Sequence, residues 1–355
     1  MEYKFEDIAY NSTAKKLPIE ADKDCYIGLE HLDSDCLSVT RWGAETAPIG
    51  EKLIMKKGDV LFGKRRAYQR KVGIAPFDGI FSAHGMVLRP KEEVIDKDFF
   101  PFFISSDQFM ERAVRISVGG LSPTINWKDL KIQKFSLPTL EEQRELAKKL
   151  WAAYRLKESY KKLLAATSEM VKSQFIEYFG NPVANEKQWK TSPISKVAPE
   201  SPSEHRLTGE VWLLNLDMIE SNTGRVIEKV FESDSNLLSV APFDEGNVLY
   251  SKLRPYLNKV VIPEGKGYAT TELIPLRPNQ EILNNEFLSY LLRSNEFVSY
   301  ANSISSGTKM PRMPLADLRK FECILPPMDL QQRFVSFAHQ ADKSESVHDI
   351  SKSIC

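Results

Sequence analysis

The sequence predicts an α+β protein: two duplicated mixed α/β domains separated by long antiparallel coiled-coil-like helices. Three observations predict this fold. The 355-residue chain repeats itself at an offset of 188 residues, the distance from Gly58 to Gly246. Short β-type runs punctuated by Gly and Pro fill the first part of each copy. Each copy then closes with an apolar pattern of helical period, and a hydrophobic share of 42% suffices for two cores.

The repeat runs without a gap through most of one copy. Residues 58–72 fall on residues 246–260, and eight of these fifteen positions are identical. The same offset places the Leu-Arg-Pro of residues 88–90 on that of residues 276–278. Upstream of Gly58 the match weakens and shifts to an offset of 187. A period this long indicates two whole domains rather than a solenoid, with one scaffold and diverged specificities.

Each copy is predicted to be a mixed α+β domain. Short runs of β-type residues come first, and a segment with apolar residues about one helical turn apart follows them. A Gly-containing loop and a Leu-Pro pair then close the copy, and proline suits such a boundary. The predicted strands include residues 60–62, 73–75, 86–88, 248–250 and 260–262, and the predicted helices are 99–113 and 286–301.

Residues 140–179 are predicted to form a long helical connector. Gly180 and Pro182 stop this helix, and about forty residues at 1.5 Å each make a rod of roughly 60 Å. Its apolar seam needs a partner helix, which the second copy supplies from Met328 onward, in an antiparallel pair. The alternative is two independent surface helices. The seam consists of Leu146, Leu150, Ala153, Tyr160, Leu164, Val171 and Tyr178.

These patterns divide the chain into four parts. The first domain is predicted at residues 1–138, the central helical spacer at 139–182, the second domain at 183–326 and a C-terminal helix at 327–355. The last helix is short, because it ends before it reaches an equivalent of residues 173–180. The two helical parts are therefore expected to be unequal.

Composition and motifs argue against several classes of protein. The net charge is zero, so any basic surface must be local. The four cysteines form no CxxC pair and have no histidine at metal-ligand spacing, which predicts free thiols and no metal site. The sequence shows no apolar signal core and no apolar run of about 20 residues, which predicts a cytoplasmic protein. The phosphate loop, the dinucleotide fingerprint and HExxH are absent, so no catalytic residue is predicted.

The strongest local signal is a basic run with an interleaved tyrosine at residues 64–71, partly retained in the second copy. Lysine and arginine neutralise phosphates, and arginine can also bind guanine with two hydrogen bonds. A solvated loop is the alternative, which retention in both copies disfavours. Arg65 and Arg70 align with Leu253 and Asn258, which makes them candidates for copy-specific readout. The DNA-binding candidates are Lys64, Arg65, Arg66, Tyr68, Arg70 and Lys71, with Lys252, Arg254, Tyr256 and Lys259 in the second copy.

The Gly-containing loops are a second, weaker signal. Glycine lets a backbone approach a phosphate closely, so that its N–H groups can donate to phosphate oxygens. A plain helix-ending turn is the alternative. The candidates are Ser117, Gly119, Gly120 and Ser122 in the first copy, and Ser305, Ser306, Gly307, Thr308 and Lys309 in the second. Trp127, Trp189 and Trp212 are expected in the cores.

With these motifs in place, the chain resembles the specificity subunit of a type I restriction–modification enzyme over almost its whole length. The resemblance rests on the duplicated Gly-(Asp/Asn)-Val-Leu-aromatic block with its Lys-x-Arg-x-Tyr. It also rests on residues 137–143 (LPTLEEQ) and 325–331 (LPPMDLQ), where each domain meets its helix. Residues 173–180 (SQFIEYFG), at the end of the central helix, match the family too.

The resemblance implies a division of labour. Each target-recognition domain would read one half of a split double-stranded DNA site, and the helices would fix the gap and dock the modification (methyltransferase) subunits, usually two. Those subunits would bind S-adenosylmethionine and methylate adenine N6, while this chain would bind no cofactor. A motor-nuclease restriction subunit would complete the complex. The C-terminal helix departs from the pattern, which leaves the symmetry of the helical pair open.

Two other readings remain open at this point. One is a self-contained methyltransferase or nuclease with unrecognised motifs, which S-adenosylmethionine binding by the isolated chain would support. The other is a coiled-coil scaffold whose globular ends bind protein. The scaffold predicts little loss of DNA affinity when Lys64, Arg66, Lys252 and Arg254 are changed to alanine.

Overall fold

The computed structural model describes residues 1–204, 206–237 and 239–346, with side chains up to residue 341. The chain divides into two compact units, Met1–Glu158 (unit 1) and Ser159–Cys355 (unit 2). The division falls inside the long central helix, so each half of that helix belongs to one unit. The part of the predicted C-terminal helix beyond Ser346 lies outside the described residues.

Unit 1 contains two four-stranded sheets, a small two-stranded sheet and a helical layer. Its elements are β1 (Glu2–Lys4), α1 (Phe5–Ile8), β2 (Ala9–Ser12), β3 (Lys15–Lys16), β4 (Tyr26–Ile27), β5 (Lys52–Met55), β6 (Val60–Phe62), β7 (Val72–Ile74), β8 (Gly79–Phe81), β9 (Met86–Pro90), α2 (Phe100–Ser105), α3 (Asp107–Arg115), α4 (Trp127–Leu130), β10 (Lys134–Ser136) and the first half of α5 (Leu140–Phe179).

The two larger sheets of unit 1 have the strand orders β2-β9-β6-β7 and β3-β5-β8-β4. All neighbours are antiparallel except β4 and β8, which run parallel. The first sheet packs against α2 and α3 and buries Phe62, Phe103 and Phe109 in one apolar cluster. A second cluster, which includes Met55 and Phe81, fills the space beside the other sheet.

Unit 2 repeats this plan, with a three-stranded sheet in place of one of the four-stranded sheets. Its elements are the second half of α5, β11 (Thr191–Pro193), α6 (Ile194–Val197), β12 (Glu210–Leu214), β13 (Val230–Ser233), β14 (Val240–Phe243), β15 (Val248–Ser251), β16 (Val260–Val261), β17 (Gly267–Thr270), β18 (Leu273–Leu276), α7 (Asn285–Arg293), α8 (Asn295–Ser303), α9 (Leu315–Lys320), β19 (Glu322–Ile324) and α10 (Met328–Ser346). Its larger sheets have the orders β16-β15-β18 and β13-β12-β17-β14.

The duplication predicted from the sequence is confirmed in the fold. The helices α3 and α8, the strands β10 and β19, and the first residues of α5 and α10 all correspond at the offset of 188. The weaker offset of 187 also has a structural counterpart. Ile27 pairs with Phe81 in a parallel bridge, as Leu214 pairs with Ala269. The diverged N-terminal parts therefore keep the same scaffold.

Each predicted helix of the domain body, 99–113 and 286–301, is in fact two helices. Ser106 separates α2 from α3, and Ser294 separates α7 from α8. Both serines adopt extended backbone, and both side chains accept an N–H of the next helix, from Phe109 at 3.3 Å and Phe297 at 3.2 Å. Apolar periodicity alone misses such a break because an N-cap serine leaves the spacing nearly unchanged.

The long helix α5 has the predicted bounds. It ends at Phe179, where Gly180 adopts a left-handed backbone with φ of 73°. Glycine suits this position because it carries no Cβ to clash.

The glutamine of each Leu-Pro…Gln motif anchors its helix to its unit. Gln143 is fully buried; its amide nitrogen donates to the carbonyls of Val94 and Pro138, and its oxygen accepts the N–H of Asp96. Gln331 is also fully buried and makes the three equivalent bonds in unit 2, with Ile282, Pro326 and Asn284 as its partners. Retention of this glutamine in both copies is therefore explained by the scaffold.

Candidate nucleic-acid interface

The basic run of unit 1 forms a short 3₁₀ turn, Ala67–Gln69, at the end of the hairpin that follows β6. Arg66 and Arg70 flank the turn, and both adopt the left-handed conformation, with φ of 56° and 52°. Non-glycine residues rarely adopt this conformation, because it costs backbone energy that the surrounding contacts must offset. The turn therefore has a defined backbone conformation and is not an irregular charged loop.

The glycine loop lies directly beside this turn. The N–H of Arg66 donates to the carbonyl of Pro123 at 2.7 Å, and its Nε donates to the Ser122 hydroxyl at 3.2 Å. Val118 and Thr124 close the loop with two backbone hydrogen bonds, and Gly119 turns it at a φ of 112°. The two candidate segments of unit 1, far apart in sequence, therefore form one rim.

Unit 2 builds the same rim from its own residues. A 3₁₀ turn, Pro255–Leu257, lies between the left-handed residues Arg254 and Asn258. The N–H of Arg254 donates to the carbonyl of Pro311 at 2.7 Å, and Gly307 turns the adjoining loop at a φ of 103°. We call these two surfaces the rims: residues 64–71 with 117–124 in unit 1, and residues 252–259 with 305–312 in unit 2.

Some rim side chains face solvent. Arg65 and Arg66 are exposed, and Tyr68 is 55% exposed. In unit 2, Tyr256 is 50% exposed and Arg254 is half-buried, with its Nη2 near the carbonyl of Lys309. An arginine and a tyrosine are thus the features that both rims present.

Arg70 has a structural position. Its guanidinium lies 2.6 Å from Asp35 and 2.9 Å from Asp107, and it donates to the carbonyl of Ser105 at the end of α2. The hydrogen bond and charge of Asp35 raise the pKa of this arginine. The counterpart Asn258 donates to the carbonyl of Arg293, the last residue of α7. Position 70/258 therefore ties the turn to a helix end in both units.

Lys71 and Lys259 also bind backbone. The ammonium group of Lys71 donates to the carbonyl of Leu29 at 2.7 Å, and that of Lys259 donates to the carbonyl of Leu216 at 2.6 Å. Burial lowers the pKa of Lys259. Both lysines hold the rim to the diverged N-terminal part of the unit, so their retention reflects the scaffold.

Lys64 and Lys252 are half-buried at the base of the rims. Burial lowers the pKa of Lys64, and the charge of Lys15 lowers it further. Their carbonyls accept the N–H groups of Ile125 and Met313, which again joins the two segments of each rim.

The remaining loop candidates divide into two groups. The hydroxyls of Ser117 and Ser305 donate to carbonyls of the preceding helices, so they cap helix ends. The tips of both loops face solvent instead. The exposed tip residues are Gly119 and Gly120 in unit 1 and Ser306, Gly307, Thr308 and Lys309 in unit 2.

Two rim features were missed at the sequence level. Leu121, at the tip of the glycine loop, is 97% exposed. In unit 2, Arg312 is exposed and forms a two-bond ion pair with Glu272, which raises the pKa of Arg312. The sequence signal for Leu121 was a lone leucine within a run of Gly and Ser. The pair of Arg312 and Glu272 joins residues forty positions apart, so no local sequence pattern indicated it.

The seam residues of α5 lie in different environments. Val171 is buried, Tyr160, Leu164 and Tyr178 are half-buried, and Leu146, Leu150 and Ala153 are exposed. Within unit 2 the buried contacts come from Phe175 and Phe179, which pack against Phe334 of α10 at 5.3 and 5.5 Å between ring centroids. The predicted seam included the buried Val171 but not Phe175 and Phe179, which make this helix-to-helix contact.

Two aromatic residues anchor the first half of α5 to unit 1. Trp151 donates its ring N–H to the carbonyl of Asp98 at 2.9 Å. The hydroxyl of Tyr154 accepts the N–H groups of Leu37 and Ser38, and burial raises its pKa to about 12. This hydroxyl therefore links the helix to a loop of the diverged N-terminal part.

The tryptophans expected in the cores do pack there. Trp127 contacts Phe5, Trp189 donates to the carbonyl of Phe179, and Trp212 is 5% exposed. In the described ranges, no cluster of three or more His, Cys, Asp or Glu side chains is arranged to hold a metal ion. None of the described helices combines the length and apolar character needed to cross a membrane.

The fold and rims define a class of protein: a tandem pair of α+β domains, each with a rim that presents arginine and tyrosine and each leading into a long helix. The chain belongs to the family of type I restriction–modification specificity proteins. The family model for the type I restriction modification DNA specificity domain matches it twice, over residues 11–166 and 189–354. Members of this family are non-catalytic specificity subunits.

Individual relatives are more distant. The Type I restriction enzyme EcoDI specificity subunit of Escherichia coli is 29% identical over 124 residues, which are 34% of this chain and only 27% of that protein. The type I restriction–modification S subunit from M. genitalium has a similar fold, with a TM-score of 0.55 and 13% identity over 99% of this chain and 92% of the other. A chain from a structural study of complex assembly and conformational transition of the type I R-M system has a TM-score of 0.50 and 17% identity, at the same coverage.

Proposed function

We propose that this chain is the DNA-recognition subunit of a type I restriction–modification complex, in which each unit binds one half of a bipartite double-stranded target. The observation that carries the proposal is the repeated rim. In both units a basic 3₁₀ turn and a glycine loop, separated by about fifty residues, are hydrogen-bonded side by side. The family match to a DNA specificity domain over both units supports the same function.

The rim residues fall into three groups in this proposal: phosphate contacts, base contacts and residues that hold the rim in shape. Arg66 and Arg254 occupy equivalent positions and suit phosphate contacts that both halves share. Arg65 is exposed and aligns with Leu253, so it suits base readout in one half-site alone. Gly119 and Gly120 at the loop tip are exposed, and backbone amides at such a tip suit phosphate oxygens. Arg70, Lys71 and Lys259, being held within the units, act on DNA only by shaping the rims.

The chain has no net charge, so its own electrostatic attraction to DNA is local and modest. We propose that the partners supply the remaining affinity. These partners are modification subunits, two of them in the complex, and a restriction subunit joins to form the nuclease. S-adenosylmethionine is bound by the modification subunits and not by this chain, and the complex acts in the cytoplasm.

Helix α5 is the proposed docking element for the modification subunits. Several of its apolar side chains are exposed, and Leu156, Leu163 and Met170 recur every seven residues on one face, which suits helix-to-helix contact. Its length also suits a spacer between half-sites. The exposed apolar residues of this helix are Leu146, Leu150, Leu156, Leu163 and Met170.

Binding of the assembled methyltransferase complex to its target duplex across a salt series tests the proposal. Arg66→Ala and Arg254→Ala should each weaken binding and reduce the slope of log K against log salt by about one unit. Lys97→Ala and Lys320→Ala remove exposed charges outside the rims and serve as the matched controls. Equal, small effects for all four variants would favour the scaffold alternative and refute the DNA rims.

A further inference from the structure

The tip of the glycine loop in unit 1 presents an aliphatic side chain to solvent. Leu121 is 97% exposed, and Val118 at the base of the loop is 57% exposed. Two backbone hydrogen bonds between Val118 and Thr124, of 3.0 and 2.8 Å, hold the loop as a closed projection. An exposed leucine side chain forgoes the favourable free energy of burial, so one at a fixed tip suits a contact made with a partner.

The surroundings of Leu121 indicate which partner. Its neighbour Ser122 accepts the Nε of Arg66 at 3.2 Å, and Arg65 beside it is also exposed. An apolar tip flanked by arginines fits a partner that carries negative charge and also has an apolar surface. Double-stranded DNA has both, since its apolar stacked bases lie between two phosphate backbones. Leucine is among the side chains that proteins insert between base pairs to unstack and kink a duplex.

The second unit differs at this point. The residue aligned with Leu121 is Lys309, which is exposed, and the next residue, Met310, is 45% exposed. A lysine at the tip suits a phosphate contact and not insertion between bases. The duplicated scaffold therefore carries two different tips, one apolar and one cationic.

We propose that Leu121 is a wedge that unstacks a base step in the half-site bound by unit 1, while Lys309 contacts a phosphate in the other half-site. The inference rests on the proposed function, since it concerns how the rim of unit 1 engages DNA. It predicts that the duplex is distorted asymmetrically, in one half-site and not in both.

The test uses the assembled methyltransferase complex and a target duplex identified by mapping methylated adenines in the source genome. 2-Aminopurine, whose fluorescence rises when stacking is lost, is placed at successive positions of each half-site except the methylated adenine and its two neighbours, since the methyltransferase itself flips that adenine out of the duplex. We expect a several-fold rise at one step of the unit 1 half-site. The rise should be lost in Leu121→Ala and Leu121→Lys and retained in Ile49→Ala, a control that removes another 97% exposed aliphatic side chain. Lys309→Leu should create a second signal in the other half-site.

Three results would overturn the wedge. One is tight binding by the wild-type complex with no fluorescence change in the unit 1 half-site. Another is an equal loss of signal in Leu121→Ala and Ile49→Ala. The third is impaired assembly of Leu121→Ala with the modification subunits while the fluorescence rise persists, which would make the tip a protein contact. If the wild-type complex does not bind duplex DNA at all, the proposed function itself fails.

Discussion

An insertion in the central helix should change the spacing between the two half-sites and leave their sequences unchanged. The structure shows where to insert. Trp151 and Tyr154 anchor the first half of α5 to unit 1, and Val171 and Phe175 are buried in unit 2. Leu156 lies between these anchors and is 58% exposed. Seven residues inserted after Leu156 therefore lengthen the helix between these two sets of anchors.

The size of the change follows from helix geometry. Seven residues add about 10 Å and rotate the two halves by about 20° relative to the original phase. A rise of about 3.4 Å per base pair converts this length to roughly three base pairs. Five residues instead add about 7.5 Å but rotate the halves by about 140°, so they serve as a control for helical phase.

Methylation mapping by the assembled complex measures the outcome. A library of duplexes with both half-sites and every gap from three base pairs shorter to six longer is methylated, and the modified members are sequenced. The seven-residue variant should prefer a gap about three base pairs longer, and the five-residue variant should lose most of its activity. A preference for the original gap, or a change in either half-site sequence, would refute the helix as the spacer.

Two further predictions concern the scaffold of unit 2. Gln331→Ala removes a fully buried amide with three hydrogen-bond partners, so it should lower the free energy of unfolding by about 2–4 kcal/mol in chemical denaturation; a change below about 0.5 kcal/mol would contradict its anchoring role. Cys323 is fully buried, and burial raises the pKa of its thiol to about 12. Because the thiolate is the reactive form, iodoacetamide at pH 8 should leave Cys323 unmodified in the native chain and alkylate it in urea, as peptide mass spectrometry can show; rapid native alkylation would contradict this burial.

The repeat allowed most of the fold to be predicted from the sequence. An offset of 188 residues fixes the number of domains, and the change from β-type runs to helical period fixes their α+β character. The bounds of α5 were predicted closely, because Gly180 is a strong stop signal and a forty-residue helix has a long periodic pattern. The breaks at Ser106 and Ser294 were not predicted, since a capping serine leaves apolar spacing nearly intact.

Only part of each rim could be predicted from the sequence. Retention of a residue in both copies marks whatever the two units share, and that includes scaffold as well as binding. Lys71 and Arg70 belong to the same basic run as Arg66, yet their partners are a backbone carbonyl and two carboxylates in other parts of unit 1. Those partners are 35 to 42 residues away, so no local pattern reveals them.

By itself the sequence determined the duplication, the helical connector and the family, because each is written as a repeat or a period along the chain. Only the tertiary structure decided which cations face solvent, that each basic turn and glycine loop form one rim, and that Leu121 stands at its tip. The physical reason is that exposure and hydrogen bonding depend on segments far apart in the chain. Unit 1, for example, brings Arg66 and Pro123 within 2.7 Å between nitrogen and oxygen.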